Sequence, residues 1–258
     1  MIVLDNFLFN GEEAAFCRLE YLYHTVDKFY ICEKKYTYQG AEKELYIESM
    51  KDRFAPYLDK IVFIIDDSPV LESAWENEYV HRNFSVTKIL EDYPEEKFLL
   101  SVCDCDEFPD AELLKSEKNN LYELCSNGSI KMQQQSYYYN LNWLAEIIQA
   151  AFFLNDTLLK THKSFQLFRN GKGPISTIIQ CGWHFSYFML KDEIIRKIES
   201  FAHTEYNTEE YKSEITECIA HGQDLFKRGW HPLTRNLDKN FPKVILDFHK
   251  KIITSQFR

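Results

Sequence analysis

Asp104 and Asp106 stand two residues apart at the end of Phe98-Leu-Leu-Ser-Val-Cys103, with Glu107 next and Pro109 closing the stretch. In an extended chain residues i and i+2 point to the same side, so the two carboxylates converge on one point. Hard oxygen donors placed this way suit a small divalent cation, which commonly carries the phosphates of a substrate. The six residues before them are mostly apolar and bounded by acidic and proline punctuation, the pattern of a short buried strand. In open α/β sheets ligands bind at that end of a strand. A solvated acidic turn is the plain alternative, and short motifs of this kind also arise by chance.

The elements that must position this pair alternate along the first half of the chain. Ile2-Val3-Leu4 reads as a first strand, Asn10-Gly11 as a turn, and Glu12-Glu13 as the acidic start of a helix. Ala15, Phe16, Leu19, Leu22 and Val26 share one face of that helix. Phe29 to Cys32 is a second strand ending at Glu33, where an acidic residue commonly holds the ribose or base of a nucleotide; a solvated strand end is its alternative. Met50 to Leu58 looks helical, and Ile61 to Ile65 is a third strand. Ser73 caps a helix running to about Leu90, with Trp75, Tyr79 and Ile89 among its apolar positions and Glu78 and Arg82 as an i,i+4 pair. Strands alternating with helices predict a mainly parallel, Rossmann-like sheet with right-handed crossovers.

The second half is less regular. A polar helix is expected from Pro109 to about Cys125, and strand-like alternation from Ile130 into Asn140. The apolar stretch 141–159 fits either a helix or a hairpin. Ile175 to Gln180 reads as a strand that leads into Gly182-Trp183-His184. Helices follow over Lys191–Ser200 and Thr208–Ala220, with His203 and Glu205 in the loop between them. No repeat or linker divides the chain, so a single α/β domain over 1–258 is expected, with no readable signal in 231–258.

Composition narrows the partners. The 30 Lys and Arg against 40 Asp and Glu give a net charge of −10, which argues against a nucleic-acid partner. A small phosphorylated ligand on a metal and a few local cations is compatible with that balance. An apolar fraction of 45% with only 8 Gly and 7 Pro in 258 residues marks a globular chain with a real core. Seven scattered cysteines without a Cys-x-x-Cys point to small buried hydrophobes in a reducing compartment. The N-terminus lacks a basic leader and no apolar run reaches membrane-spanning length, so a cytoplasmic protein without a transmembrane segment is expected.

Taken together, Asp104-x-Asp106-Glu107-x-Pro109 and Gly182-Trp183-His184-x-Ser186 with Lys197 resemble the blocks of glycosyltransferase family 17, the bisecting β-1,4-N-acetylglucosaminyltransferases and their bacterial and viral relatives. Phe9-Asn10, Glu33 with Tyr36-Thr37 and Gly40, and the Trp75, Glu78, Arg82 helix fall in the same order. Lys34-Lys35 replace Ser-Asn in the second of these, Phe108 replaces Ile, and Tyr187 replaces Trp. The resemblance implies a GT-A-like fold, with a nucleotide-sugar half to about residue 110 and an acceptor-side half from there to about 230. It also implies inverting transfer from a nucleotide-diphosphate sugar, UDP-N-acetylglucosamine first, to a glycan or glycolipid hydroxyl.

On that reading Mn²⁺ or Mg²⁺ sits on Asp106 with Asp104 and bridges the two phosphates. His203, or alternatively His184, is a further ligand or phosphate contact. Asn10, Glu33, Arg82, Lys197, His184 and Trp183 are expected around the donor. Trp183 and His184 have core roles as their alternative, and Lys197 a solvated one. Inversion needs one carboxylate as base, and Glu205, Asp192, Glu199 and Asp224 are the candidates. A phosphatase or phosphomutase with an Asp-x-Asp strand end and an inactive glycan-binding module are the rival readings.

Overall fold

The computed structural model describes residues 1–229, 232–234 and 240–256. The first half runs β1 (Ile2–Leu8), α1 (Ala14–Leu22), β2 (Lys28–Lys34), the short α2 (Tyr46–Ser49) and α3 (Lys51–Phe54), β3 (Ile61–Asp66), α4 (Ala74–Asp92) and β4 (Phe98–Asp104). β4, β1, β2 and β3 lie side by side in that order and are parallel. β1, β2 and β4 are buried along nearly their whole length. Their near-continuous apolar runs follow from helices covering both faces of a parallel sheet.

The second half runs β5 (Glu107–Phe108), α5 (Ala111–Leu124), β6 (Ser129–Tyr138), β7 (Trp143–Ile148), β8 (Phe152–Asn155), α6 (Asp156–His162), α7 (Phe165–Arg169), β9 (Ile175–Ser186), α8 (Lys191–Ser200), α9 (Glu209–His221), β10 (Leu233–Thr234) and α10 (Lys243–Gln256). These strands extend the same sheet, ten-stranded among the described residues, but β8 runs antiparallel to β4 and β6, and β7 antiparallel to β6. The sheet is therefore mixed, and the expected parallel arrangement holds for the β4-β1-β2-β3 block. Short connections such as Tyr139 to Asn142 permit only an antiparallel return, whereas parallel pairing needs a long crossover. The stretch 141–159, open in sequence between a helix and a hairpin, forms β7, β8 and the start of α6. Asn155 caps α6 by accepting from the Leu158 N–H at 2.9 Å.

α4 departs in part from its apolar reading: Ile89 is fully buried as expected. Ser73 caps it as expected, but Trp75 and Tyr79 are exposed. The inward stripe carries Asn77, His81 and Ser85, spaced one turn apart. Each is bonded: Asn77 to the backbone of Tyr38 and Leu71, His81 Nδ1 to the Tyr38 hydroxyl at 2.8 Å, and Ser85 to Asn6 Oδ1 at 2.6 Å. Polar groups are tolerated in the interior when partnered in this way, and the one buried ring nitrogen left over among these three is His81 Nε2.

α10 packs on α1 and ties the C-terminal part of the chain, silent in sequence, to the body. Buried His249 on α10 accepts at Nδ1 from the Leu141 N–H at 3.2 Å, so its neutral form is required. Burial pushes it down from 6.5 to about 4. A histidine with a depressed folded-state pKa stabilises the fold above its unfolded value and loses that contribution as pH falls. Stability is therefore expected to drop between about pH 6.5 and 4, and His249→Asn, which keeps an acceptor without titrating, is expected to flatten that drop. Urea melts across this range check it; parallel curves for both proteins would refute the assignment.

Candidate active site

β4 ends at Asp104, and Cys105-Asp106 form a turn before β5 reverses to pair with β9. Asp106 is thus off the strand, and the convergence of the two carboxylates comes from the turn rather than from strand alternation. Glu107 closes this turn. Its Oε2 accepts from the Asp104 N–H at 2.6 Å, and its carbonyl accepts from the Arg18 guanidinium. Arg18 is fully buried on α1 and also pairs with buried Asp5 of β1 at 2.7 Å.

Gly182 brings the other wall close. It has φ +79°, and a Cβ there would lie 1.9 Å from the Phe108 carbonyl oxygen. Only glycine permits β9 to approach β5 so tightly. That register sets His184 opposite Glu107 and its Nε2 3.5 Å from Asp106 Oδ1.

Around the turn lies a cavity of about 420 Å³, lined from the ends of β1, β2 and β4, the N-terminal part of α4, α7 and the end of α8. Lys34, Lys43, Arg82, Arg169 and Lys197 line it, against Glu12, Glu78, Asp104 and Asp106. On a chain of net charge −10 the lining is close to charge balance, five cations facing four carboxylates. Arg82 grips Asp104 through both terminal nitrogens, at 2.5 and 3.2 Å, and also pairs with Glu78. Arg169 meets Asp104 Oδ2 at 2.5 Å and Glu107 at 3.1 Å. Lys197 meets Asp106 Oδ2 at 2.9 Å. Both aspartates are desolvated, yet these cations hold their carboxyls well below the usual range. Burial lowers and Asp106 raises the pKa of His184, and the net direction is upward from 6.5.

Asp104 and Asp106 are thus ionised, hard oxygen donors facing one cavity. A small divalent ion binds through one or two such carboxylates and completes its shell from phosphate and water. Among the described residues no group of three His, Cys, Asp or Glu forms a metal cluster. The donor set fits an ion shared with a bound diphosphate, and it offers no protein cage.

Of the residues singled out in sequence, Asn10, Arg82, Lys197, Asp104, Asp106 and His203 line the cavity together. Asn10 Nδ2 bonds Ser200 Oγ at 2.9 Å, joining the loop after β1 to α8. His203 stacks edge-on against Trp75 at 4.5 Å and pairs with Glu205, at the cavity edge. His184 stands behind Asp106, between Ser136 and Ser186. Trp183 packs among Tyr21, Phe185 and Phe241. Glu33 is fully buried and accepts from Lys43 and from the N–H groups of Tyr46 and Ile47, so it anchors α2.

The four expected base candidates lie outside the lining. Glu205 is more than half exposed, Asp192 is exposed, Glu199 pairs with Lys212 on the surface, and buried Asp224 pairs with Arg228. Arg169, Glu12, Lys34 and Lys43 are cavity residues that sequence reasoning missed. The only signal for Arg169 was its place in the basic, glycine-rich run Arg169-Asn-Gly-Lys-Gly173.

No curated protein matches this chain. Among solved structures, a glycosyltransferase involved in the glycosylation of the major capsid of PBCV-1 aligns at 10% identity and TM-score 0.27, covering 84% of this chain and 74% of that one. A mannose-1-phosphate geranyltransferase from Thermus thermophilus aligns at 10% identity and TM-score 0.33, covering 63% and 60%. Likenesses this distant carry no argument. The model of glycosyltransferase family 17, in contrast, matches residues 2–230 and so takes in the whole cavity. The chain belongs to glycosyltransferase family 17, and its chemistry is sugar transfer.

Proposed function

We propose that this chain moves a sugar, with inversion, from a nucleotide-diphosphate donor to a hydroxyl of a glycan or glycolipid, and that UDP-N-acetylglucosamine is the donor. The observation that carries the reading is one cavity at the strand ends holding Asp104 and Asp106 beside Arg82, Arg169 and Lys197. Two carboxylates alone would repel a diphosphate. The cations around them offset much of that charge, and each guanidinium can shift a hydrogen bond from carboxylate to phosphate.

Mn²⁺ or Mg²⁺ held by Asp106 with Asp104 would neutralise the departing diphosphate. Lys197 and Arg169 steady the same charge from the protein side, and Asn10 fixes the loop that borders the donor. Seven free, buried cysteines support a reducing, cytoplasmic setting for the reaction. Among the described residues no helix is long and apolar enough to cross a membrane.

The test is a thermal-shift panel of UDP-, GDP- and dTDP-sugars with and without Mn²⁺. A true donor at a hundredfold its Kd stabilises by about 2.7 kcal/mol, a rise of several degrees at this size. Stabilisation by UDP-N-acetylglucosamine that EDTA removes is the expected result. A response to GDP- or dTDP-sugars alone would refute the uridine assignment, an equal response in EDTA would refute the metal, and no response to any would refute the donor class.

A further inference from the structure

Four carboxylates line the cavity, and three are already committed. Glu78 pairs with Arg82, Asp104 with Arg82 and Arg169, and Asp106 with Lys197 and His184. The fourth, Glu12, makes no ion pair among the described residues; its Oε2 instead accepts from the Asn10 N–H at 2.6 Å. Its position follows from the backbone. α1 begins only at Ala14, so Glu12 belongs to the loop after β1 and not to the helix. Gly11 turns that loop with φ +85°, and a Cβ there would lie 2.8 Å from the Tyr46 ring. The loop is pinned across the cavity by the bond from Asn10 to Ser200.

Glu12 lines the same cavity as Lys197 and Asp106 and is close enough to feel both charges. Burial raises its carboxyl above the ordinary 4.5, with Lys197 opposing. A carboxylate that is desolvated and unpaired is a better proton acceptor than one locked to a guanidinium.

We propose that Glu12 is the general base of the transfer. The assignment rests on the sugar-transfer reading above. The acceptor oxygen bonds to the anomeric carbon as the bond from that carbon to the phosphate oxygen breaks. The electron pair of the broken bond leaves on the nucleoside diphosphate. The acceptor proton passes to the Glu12 carboxylate and from there to water, and Lys197 with Arg169 meets the added negative charge. An inverting displacement needs one base and no enzyme nucleophile. Among the described residues, Glu12 is the cavity carboxylate that can serve without first breaking an ion pair.

The experiment uses the full chain with UDP-N-acetylglucosamine and Mn²⁺, reading UDP release with water as acceptor and, separately, donor binding by calorimetry. Glu12→Gln is expected to lower kcat at least about a hundredfold while the donor Kd moves less than about threefold. Glu12→Ala is expected to lose the same rate and to regain at least about tenfold in formate, which supplies a carboxylate in the space left. Near-normal turnover of Glu12→Gln, loss of donor binding in step with rate, or no formate rescue would each overturn the assignment. These results leave sugar transfer standing, since the wild-type protein still binds and cleaves its donor. A wild-type protein that neither binds nor cleaves UDP-, GDP- or dTDP-sugars would remove the reading and the base together.

Discussion

Asp106→Asn is expected to lower turnover about a thousandfold, the upper range for removing one preorganised electrostatic group from a reaction centre. Asp106 is 5% exposed and has Lys197 at 2.9 Å and the His184 imidazole at 3.5 Å. The amide keeps the shape but removes the charge that orients both, and it is a poor ligand for a hard cation. A readout independent of turnover accompanies the loss. His184 has its pKa raised chiefly by Asp106, against burial. Its imidazole titration, followed by NMR, is therefore expected to move down in the variant. Normal turnover in a folded Asp106→Asn protein would show that the Asp104-x-Asp106 turn is structural only.

Arg18→Met is expected to cost about 3–5 kcal/mol of stability, the scale for breaking one side of a buried ion pair. Arg18 and Asp5 are both fully buried, and Ser101 supplies Asp5 with one further hydrogen bond. Methionine fills much of the volume but leaves the Asp5 carboxylate without its cation. At roughly 2–4 °C per kcal/mol for a chain of this size, the melting temperature should fall by about 10 °C. The double variant Arg18→Met with Asp5→Leu is expected to recover most of the loss, because both charges are then absent. A drop under about 1 kcal/mol in the single variant would refute this account. Arg18 also holds the Glu107 carbonyl beneath the Asp104-x-Asp106 turn, so turnover measured below the melting transition should fall in both variants.

The sequence by itself determined what local pattern can determine. The runs Ile2 to Leu4, Phe29 to Cys32, Ile61 to Ile65 and Phe98 to Cys103 are apolar and bounded by turn residues, and they are the four parallel strands. Lys191 to Ser200 carries its helix at the expected bounds, with Ile194 and Ile198 one turn apart on the buried face. The family resemblance was legible for the same reason, since its blocks lie where backbone ends and charges coincide.

Tertiary structure alone decided which charges meet. His184 faces Asp106 because β5 pairs with β9 across more than seventy residues of chain, and Gly182 permits the approach. No local periodicity encodes a contact of that range. Glu33 and Glu12 show the same limit from opposite sides. Both are acidic residues near strand ends, but the N–H groups of α2 take up the first, while Gly11 turns the second into the cavity. Arg169 reaches Asp104 from α7, whose start is seated by Asn83 of α4 accepting from the Phe165 N–H at 2.7 Å. A side chain's type limits its chemistry, but its partner is set by folding, because burial and pairing energies depend on distance in space and not along the chain.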